Sequence, residues 1–131
     1  MNLNSKKIIK RALYDNLNIS ILVDEDNSPL SSKLFKSNKT YPKFDENEFR
    51  VNFKKLNFPQ FHSKVYSKLL KVKKGKITTY KKLAELSGSP NAFRAVGSAM
   101  TKNPLVYIIP CHRVLKTGGG LGNYSGLGGN K

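Results

Sequence analysis

Residues 78–101 read TTYKKLAELSGSPNAFRAVGSAMT, and this stretch decides the fold of the second half of the chain. A threonine ahead of the first apolar residues predicts an N-cap, and Gly88 predicts the end of a short helix. Ser89 and Pro90 then predict the start of a second helix that runs to about Thr101. Two short helices joined by a tight glycine turn are typical of a helix-turn-helix.

The second helix of this pair has two different faces. Its apolar side is predicted to consist of Phe93, Val96, Gly97 and Met100, which recur at helical spacing. Arg94 lies in the same helix but off this apolar side. The pattern fits either a solvated side chain or a probe directed at nucleic acid.

An amphipathic helix is predicted ahead of the pair, from about Pro59 to Val72. Apolar residues recur through it at helical spacing, whereas lysines and His62 occupy the polar side. Gly75 follows as a suitable C-cap for this helix.

The segment after the pair contains a short apolar run and a glycine cluster. Residues 105–109 are apolar and follow an Asn-Pro stop signal, which predicts a buried strand. Short apolar pairs flank the glycine-rich residues 117–120, and this pattern predicts a hairpin or wing. No lysine followed by serine or threonine completes these glycines as a phosphate-binding loop.

Residues 1–56 carry no recognisable chemical motif. Residues 18–23 resemble a strand and residues 24–29 a turn, whereas Lys6 to Tyr14 fits either a short helix or a strand. We therefore predict an α+β protein. A small N-terminal α/β segment over residues 1–56 precedes a mainly helical, winged helix-turn-helix domain over residues 57–131.

The positive charge of the chain is concentrated in its second half. The net charge is +16, and residues 57–131 contain 13 basic residues and a single acidic one, Glu85. A domain this basic repels itself unless a polyanion is near, and nucleic acid is the expected partner because lysine and arginine release condensed counterions from phosphates. A generally basic protein without such a partner remains the alternative.

The chain carries no sign of membrane insertion or secretion. No run reaches the roughly 18 apolar residues of a membrane span, and the first residues lack the apolar core of a signal peptide. We expect no membrane partner and a cytoplasmic location, associated with the nucleoid, or a nuclear one in a eukaryote.

The only cysteine, Cys111, lies in the stretch Ile109-Pro110-Cys111-His112-Arg113-Val114. A lone cysteine is usually a small buried apolar residue. Neighbouring histidine and arginine favour the thiolate, which is the reactive form and a soft nucleophile suited to displacement at an alkyl carbon. A cysteine hydrolase is disfavoured, because it needs a base distant in sequence and an oxyanion hole.

This stretch resembles the active-site motif of the O6-alkylguanine-DNA alkyltransferases, also called methylated-DNA–protein-cysteine methyltransferases. The resemblance covers about residues 58–131 and rests on several short motifs that occur in the family's order. Beyond the cysteine motif they are Thr79-Tyr80, Leu83-Ala84, Arg94-Ala95-Val96-Gly97, Ala99-Met100, Asn103-Pro104 and Gly122-Asn123-Tyr124-Ser125-Gly126.

The resemblance implies a single-turnover repair reaction on double-stranded DNA. The damaged guanine leaves the base stack after minor-groove binding, and Cys111 takes the alkyl group from O6 irreversibly. No cofactor is needed, because the damaged DNA is itself the alkyl donor. Some family members carry a structural zinc, but residues 1–56 contain no cysteine, so no metal is expected. The protein is expected to be a monomer.

The resemblance also assigns roles to individual residues. Cys111 is the nucleophile, His112 deprotonates it through a water, Tyr80 donates a proton to the purine N3, and Asn103 braces the cysteine turn. Arg94 fills the gap left by the flipped base. The remaining DNA-binding residues are Thr79, Ala95, Gly97 and Arg113. The substrate-pocket residues are Val114, Tyr124, Ser125, Gly126 and Lys131.

One feature of the family is missing from this sequence. The family places a glutamate after the Gly-Asn-Tyr-Ser-Gly segment to orient the histidine, whereas no carboxylate follows Glu85 here. We expect a native C-terminal helix to lie beyond Lys131, and we expect the present chain to bind DNA but to transfer slowly. The alternatives are a non-catalytic alkylguanine-binding protein and a truncated, inactive transferase.

Overall fold

The structure is a computed structural model that describes residues 5–89 and 92–115. The chain divides into two compact units. Met1–Leu56 and Pro104–Ile108 make up the first unit, and Asn57–Asn103 and Ile109–Lys131 make up the second. The predicted α+β class is confirmed, with strands first and a helical region after them.

The first unit is built on an antiparallel sheet of three strands in the order β1-β2-β3. These are β1 (Lys7–Tyr14), β2 (Leu17–Val23) and β3 (Pro29–Lys36). Residues 18–23 were predicted as a strand, which β2 confirms, and the segment that fitted either a helix or a strand forms β1. The turn after β2 is closed by the Asp24 carboxylate, which accepts hydrogen bonds from the backbone N–H groups of Asp26 and Ser28 at 2.9 and 3.0 Å.

The core of the first unit lies against one face of this sheet. Ile19, Ile21 and Val23 of β2 are fully buried there, and Phe49 packs against them from the segment that follows β3. The predicted α/β character of residues 1–56 is wrong in one respect. Their described part contains no α-helix, only a 3-10 turn at Phe53–Lys55, because its apolar residues alternate with the period of strands.

The described part of the second unit contains three α-helices: α1 (Gln60–Leu69), α2 (Tyr80–Leu86) and α3 (Phe93–Thr101). Helix α1 is shorter than predicted, since its C-cap is Leu70. Gly75 is not that cap. It lies in the following turn, where its φ of 84° requires the left-handed conformation that glycine adopts without strain.

Helices α2 and α3 form the predicted helix-turn-helix, and α2 is capped at both ends. The Thr79 side chain accepts a hydrogen bond from the backbone N–H of Lys82 at 3.0 Å. After the C-cap residue Ser87, Gly88 has a φ of 89°. The N–H of Gly88 donates to Glu85 O, and the N–H of Ser89 donates to Ala84 O, which together make a Schellman motif.

Helix α3 begins later than predicted, with Ala92 instead of Ser89 as N-cap. Val96, Ala99 and Met100 are its buried residues. Phe93, predicted for the apolar side, is 44 % exposed. It lies in the first turn, and no described residue covers its ring fully.

The predicted strand over residues 105–109 is wrong. Tyr107 has a φ of 71°, which interrupts an extended chain. Within the first unit, Ser32 holds this segment instead: its N–H donates to Pro104 O at 2.9 Å and its hydroxyl donates to Val106 O at 2.8 Å.

The second unit also contains two short strands among its described residues. Strand β4 (Thr78–Thr79) pairs in parallel with β5 (Val114–Leu115), so the entry to α2 lies beside the residues that follow the cysteine. The predicted wing at residues 117–120 lies outside the described residues. None of the helices in the described part of the chain is long and apolar enough to cross a bilayer.

Candidate active site and nucleic-acid face

Cys111 opens a single 3-10 turn, Cys111–Arg113, directly after Pro110. The turn is closed by the Arg113 N–H, which donates to Pro110 O at 3.0 Å, and the Cys111 N–H donates to Ile109 O at 2.8 Å. Cys111 is only 5 % exposed. The sulfur therefore lies at a tightly fixed position just below the surface of the unit.

Asn103 fixes this turn from the end of α3. Its buried side-chain amide donates to Ile109 O and to Cys111 Sγ, each at 2.9 Å. The Cys111 thiol in turn faces Met100 O at 3.8 Å. One amide group thus holds both the backbone that leads into the turn and the sulfur itself, and an N–H directed at sulfur favours the thiolate.

The pKa values of the cysteine and its neighbour move in opposite directions. Burial raises the pKa of Cys111 to about 11, although the hydrogen bond from Asn103 partly opposes this shift. Burial and the charge of Arg113 lower the pKa of His112 to about 4. At neutral pH the resting site therefore holds a protonated thiol and an uncharged imidazole.

Arg113 and Val114 tie the cysteine turn to the rest of the second unit. The guanidinium Nη1 of Arg113 donates to Val72 O at 2.8 Å, in the segment that follows α1. Val114 is 1 % exposed and begins β5. The structure thus gives Arg113 a bracing contact, in addition to the DNA-binding role that the resemblance implies for it.

A shallow groove of about 480 Å³ runs along the exposed side of α3. Two rows of residues at four-residue spacing form it, and Tyr80, the first residue of α2, borders them. The first row is Phe93, Gly97 and Thr101, and the second is Arg94, Ser98 and Lys102. Among residues 5–89 and 92–115, none that lines this groove is acidic, and none forms an ion pair with Arg94.

The two helices of the motif come together at this groove, where Gly97 of α3 lies beside Tyr80 of α2. A Cβ atom placed on Gly97 would lie 3.6 Å from Cε2 of Tyr80. Thr79 caps α2 one residue earlier, and Ala95 is half-buried on α3. The predicted DNA-contacting residues Thr79, Arg94, Ala95 and Gly97 therefore all belong to the helix-turn-helix, while Cys111 is not among the residues that line the groove.

Four predicted pocket residues, Tyr124, Ser125, Gly126 and Lys131, lie outside the described residues.

Tyr66 is a neighbour of the site that the sequence did not single out. Its phenol is 1 % exposed and donates to Ala99 O at 2.5 Å, in the last turn of α3. Burial raises its pKa, and Cys111 contributes to the shift. His62, predicted on the polar side of α1, is instead buried with its ring edge-on to Tyr66. His62 and Tyr66 are four residues apart in a predicted helix, and this spacing could have indicated that their side chains lie on the same face.

Comparison with known proteins gives a consistent family assignment. Residues 60–131 match the model of the "6-O-methylguanine DNA methyltransferase, DNA binding domain". A methylated-DNA–protein-cysteine methyltransferase of Rattus norvegicus is 54% identical over 69 residues, which cover 52% of this chain and 33% of the relative. One of Kluyveromyces lactis is 32% identical over 118 residues, which cover 90% of this chain and 62% of the relative. The chain thus spans about a third of the length of the mammalian relatives it matches.

Solved structures share the fold. O6-methylguanine-DNA methyltransferase of Pyrococcus kodakaraensis has a TM-score of 0.63 and 23% identity, and the match covers 92% of this chain and 90% of that one. OGT of Mycobacterium tuberculosis in complex with DNA also has a TM-score of 0.63 and 23% identity, with 88% of this chain and 83% of that one covered.

Proposed function

Because the chain belongs to the 6-O-methylguanine DNA methyltransferase family, we propose that it repairs DNA by moving an alkyl group from O6 of guanine to Cys111. The observation that carries this proposal is that the Asn103 side-chain amide hydrogen-bonds the cysteine turn, with its nitrogen 2.9 Å from Cys111 Sγ. A structural cysteine needs no such donor, whereas a nucleophile that must become an anion is stabilised by one.

The reaction is a direct displacement at the alkyl carbon. Cys111 first loses its proton, and the thiolate sulfur then forms a bond to that carbon as the bond from carbon to O6 breaks. The electron pair stays on the guanine, which takes up a proton and becomes an ordinary base. The thioether product has no simple route back to a thiol, so each molecule acts once.

Acid–base groups near the sulfur have to overcome an unfavourable starting state. The pKa of the Cys111 thiol is about 11 and that of the His112 imidazole is about 4, so proton transfer from the thiol to the imidazole is unfavourable in free energy. We propose that His112 accepts the proton through a water and that Tyr80 supplies one to the leaving purine. The uphill transfer supports slow reaction of the resting chain.

The partner that we propose is double-stranded DNA containing O6-alkylguanine. The second half of the chain carries a net charge of +12, and its helix-turn-helix presents Arg94 and Lys102 beside a groove without acidic residues. The alkylated O6 lies inside the duplex, so the base must leave the stack to reach a buried sulfur. Arg94 then occupies the gap from the minor groove.

We also propose that the protein acts as a monomer, in the cytoplasm at the nucleoid or in the nucleus of a eukaryote. One sulfur per chain suffices for the reaction, and genomic DNA is the substrate. Light scattering measures the molar mass of the protein with and without a duplex, and the mass of a single chain is the expected result for the free protein.

The test of the function is the intact mass of the protein after incubation with a duplex that contains O6-methylguanine. One added methyl group, absent from the matched variant Cys111→Ser, is the expected result. Binding of the lesion by the wild-type chain without any mass increase would contradict the transfer and assign the protein to lesion binding alone.

A further inference from the structure

We propose that Phe93 is a second residue that enters the base stack beside Arg94, where its ring stacks on a base left exposed when the damaged nucleotide flips out. This inference rests on the proposed function. It adds an aromatic stacking contact to the charged one already assigned to the groove.

Phe93 lies at the exposed start of α3. It is the first residue of α3 and is 44 % exposed, whereas the other large apolar residues of that helix, Val96 and Met100, are at most 1 % exposed. Its side chain therefore contributes little to the core, although exposing a phenyl ring to water is unfavourable. A partner that covers this ring recovers that free energy.

The surroundings of Phe93 select the partner. Its neighbour in sequence, Arg94, is exposed and forms no ion pair within the described residues. The remaining members of the two rows are a glycine, two hydroxyl side chains and Lys102. Cations and hydroxyls suit phosphate and sugar oxygens, while the small Gly97 permits close approach of a backbone. These features favour a nucleic acid over an apolar protein surface.

An aromatic ring beside basic side chains, as Phe93 is beside Arg94, is suited to inserting between bases in a DNA groove. Proteins that bind the minor groove frequently insert apolar wedges between base steps. Every base also presents a flat π-face, on which an aromatic side chain stacks without regard to sequence. A repair protein has to act in any sequence context, so this kind of contact fits its task.

The experiment compares two substrates, a duplex with O6-methylguanine and the free base O6-benzylguanine, which has no neighbouring bases. In Phe93→Ala, the ratio of the rate constant on the duplex to that on the free base is expected to fall about 5- to 140-fold, the range that loss of one base-stacking contact gives. Phe93→Trp, which keeps an aromatic face, should retain most of the ratio.

The matched control is Leu86→Ala. Leu86 is exposed to a similar degree, 47 %, but does not line the groove. Its variant should keep the wild-type ratio. An unchanged ratio in Phe93→Ala would overturn the stacking role, and so would an equal fall in the ratio in Phe93→Ala and Leu86→Ala.

A binding measurement separates this inference from the proposed function. A duplex with an abasic site already contains the gap, so it tests stacking without any chemistry. Weaker binding of this duplex by Phe93→Ala than by wild type supports the role of Phe93 even if no alkyl transfer is detected. Equal binding, together with equal rates, rejects that role while transfer by the wild-type chain upholds the function.

Discussion

At the scale of single residues, the site depends on the balance between burial and one hydrogen bond at the sulfur. Burial disfavours the charged thiolate, and the Asn103 amide favours it. Burial prevails, so the thiol of the resting protein is protonated at neutral pH. The reactivity of the chain is thus set by how readily that proton is lost.

The first prediction concerns the pH dependence of transfer. Because only the thiolate attacks, the rate should rise about tenfold per pH unit as long as the pH is below the pKa of Cys111, which is about 11. Transfer from O6-benzylguanine between pH 7 and 9 measures this. A rate that levels off below pH 9 would show that burial does not raise the pKa.

The same shift affects stability. The folded-state pKa of Cys111 lies above that of the unfolded chain, so the stability that this difference supplies is complete below the usual thiol pKa. It is lost as the pH rises toward 11. Urea unfolding at several pH values, with Cys111→Ser as the reference, isolates this contribution.

The second prediction concerns Asn103→Ala. The variant leaves Ile109 O without this donor and should lower the free energy of unfolding by about 1–3 kcal/mol. It should also raise the pKa of Cys111 further, as read from thiolate absorbance. Asn18→Ala is the matched control, since the buried Asn18 amide also donates to backbone carbonyls, those of Asn16 and Ser37. It should destabilise the protein without a change in the thiol pKa.

At the scale of elements, the helix-turn-helix depends on its turn. Gly88 adopts a φ of 89° within the Schellman motif, whereas Gly97 lies inside α3 in ordinary helical conformation. Of these two glycines, nine positions apart, only Gly88 has a backbone conformation that requires glycine. Gly97 lies beside Tyr80, where a Cβ atom would fit at an ordinary contact distance of 3.6 Å.

The third prediction uses this difference. Gly88→Ala should destabilise the protein by about 1–2 kcal/mol, because a Cβ atom is unfavourable in the left-handed region. Gly97→Ala should leave the free energy of unfolding unchanged or raise it by up to about 1 kcal/mol, since its Cβ would meet Tyr80 at an ordinary 3.6 Å. Thermal unfolding of both variants measures these changes. An equal loss of stability in Gly88→Ala and Gly97→Ala would contradict the claim that only Gly88 requires glycine.

The elements also show which parts of the fold follow from sequence. The caps at Thr79 and Gly88 are local signals, so α2 was predicted correctly. The strand over residues 105–109 was not, because nothing in a run of apolar residues announces the positive φ of Tyr107. Phe93 was predicted from spacing to lie on the apolar side of the second helix, yet it is 44 % exposed, because burial depends on neighbours that spacing does not reveal. The link from Asn103 to Cys111 was expected only from family resemblance.

At the scale of the whole molecule, the distribution of charge predicts which part of the chain attracts DNA. The net charge of +16 is unevenly spread, with +4 on residues 1–56 and +12 on residues 57–131. The acidic side chains of the first unit are partly used in ion pairs, as in Arg11 with Glu48 and Lys55 with Asp24. Attraction to DNA is therefore expected to come mainly from the second unit.

The fourth prediction concerns the salt dependence of DNA binding, which should show which of the two units contacts the phosphates. The logarithm of the binding constant for a duplex should fall linearly with the logarithm of salt concentration. Replacing Lys102, which lines the groove, by glutamine should make that slope shallower by about 1 if it contacts a phosphate. Lys39→Gln, in the first unit, should leave the slope unchanged. Identical salt slopes for Lys102→Gln and Lys39→Gln would indicate that the DNA does not contact the groove at Lys102.

The burial of Cys111 has a further consequence under the proposed reaction, in which each molecule acts once. A cell contains peroxides and small electrophiles that consume exposed, ionised thiols. A sulfur that is 5 % exposed, with a pKa of about 11, is expected to react with them slowly. The burial that we propose to slow transfer would then also protect the thiol, and iodoacetamide should modify Cys111 far more slowly than it modifies an unfolded chain.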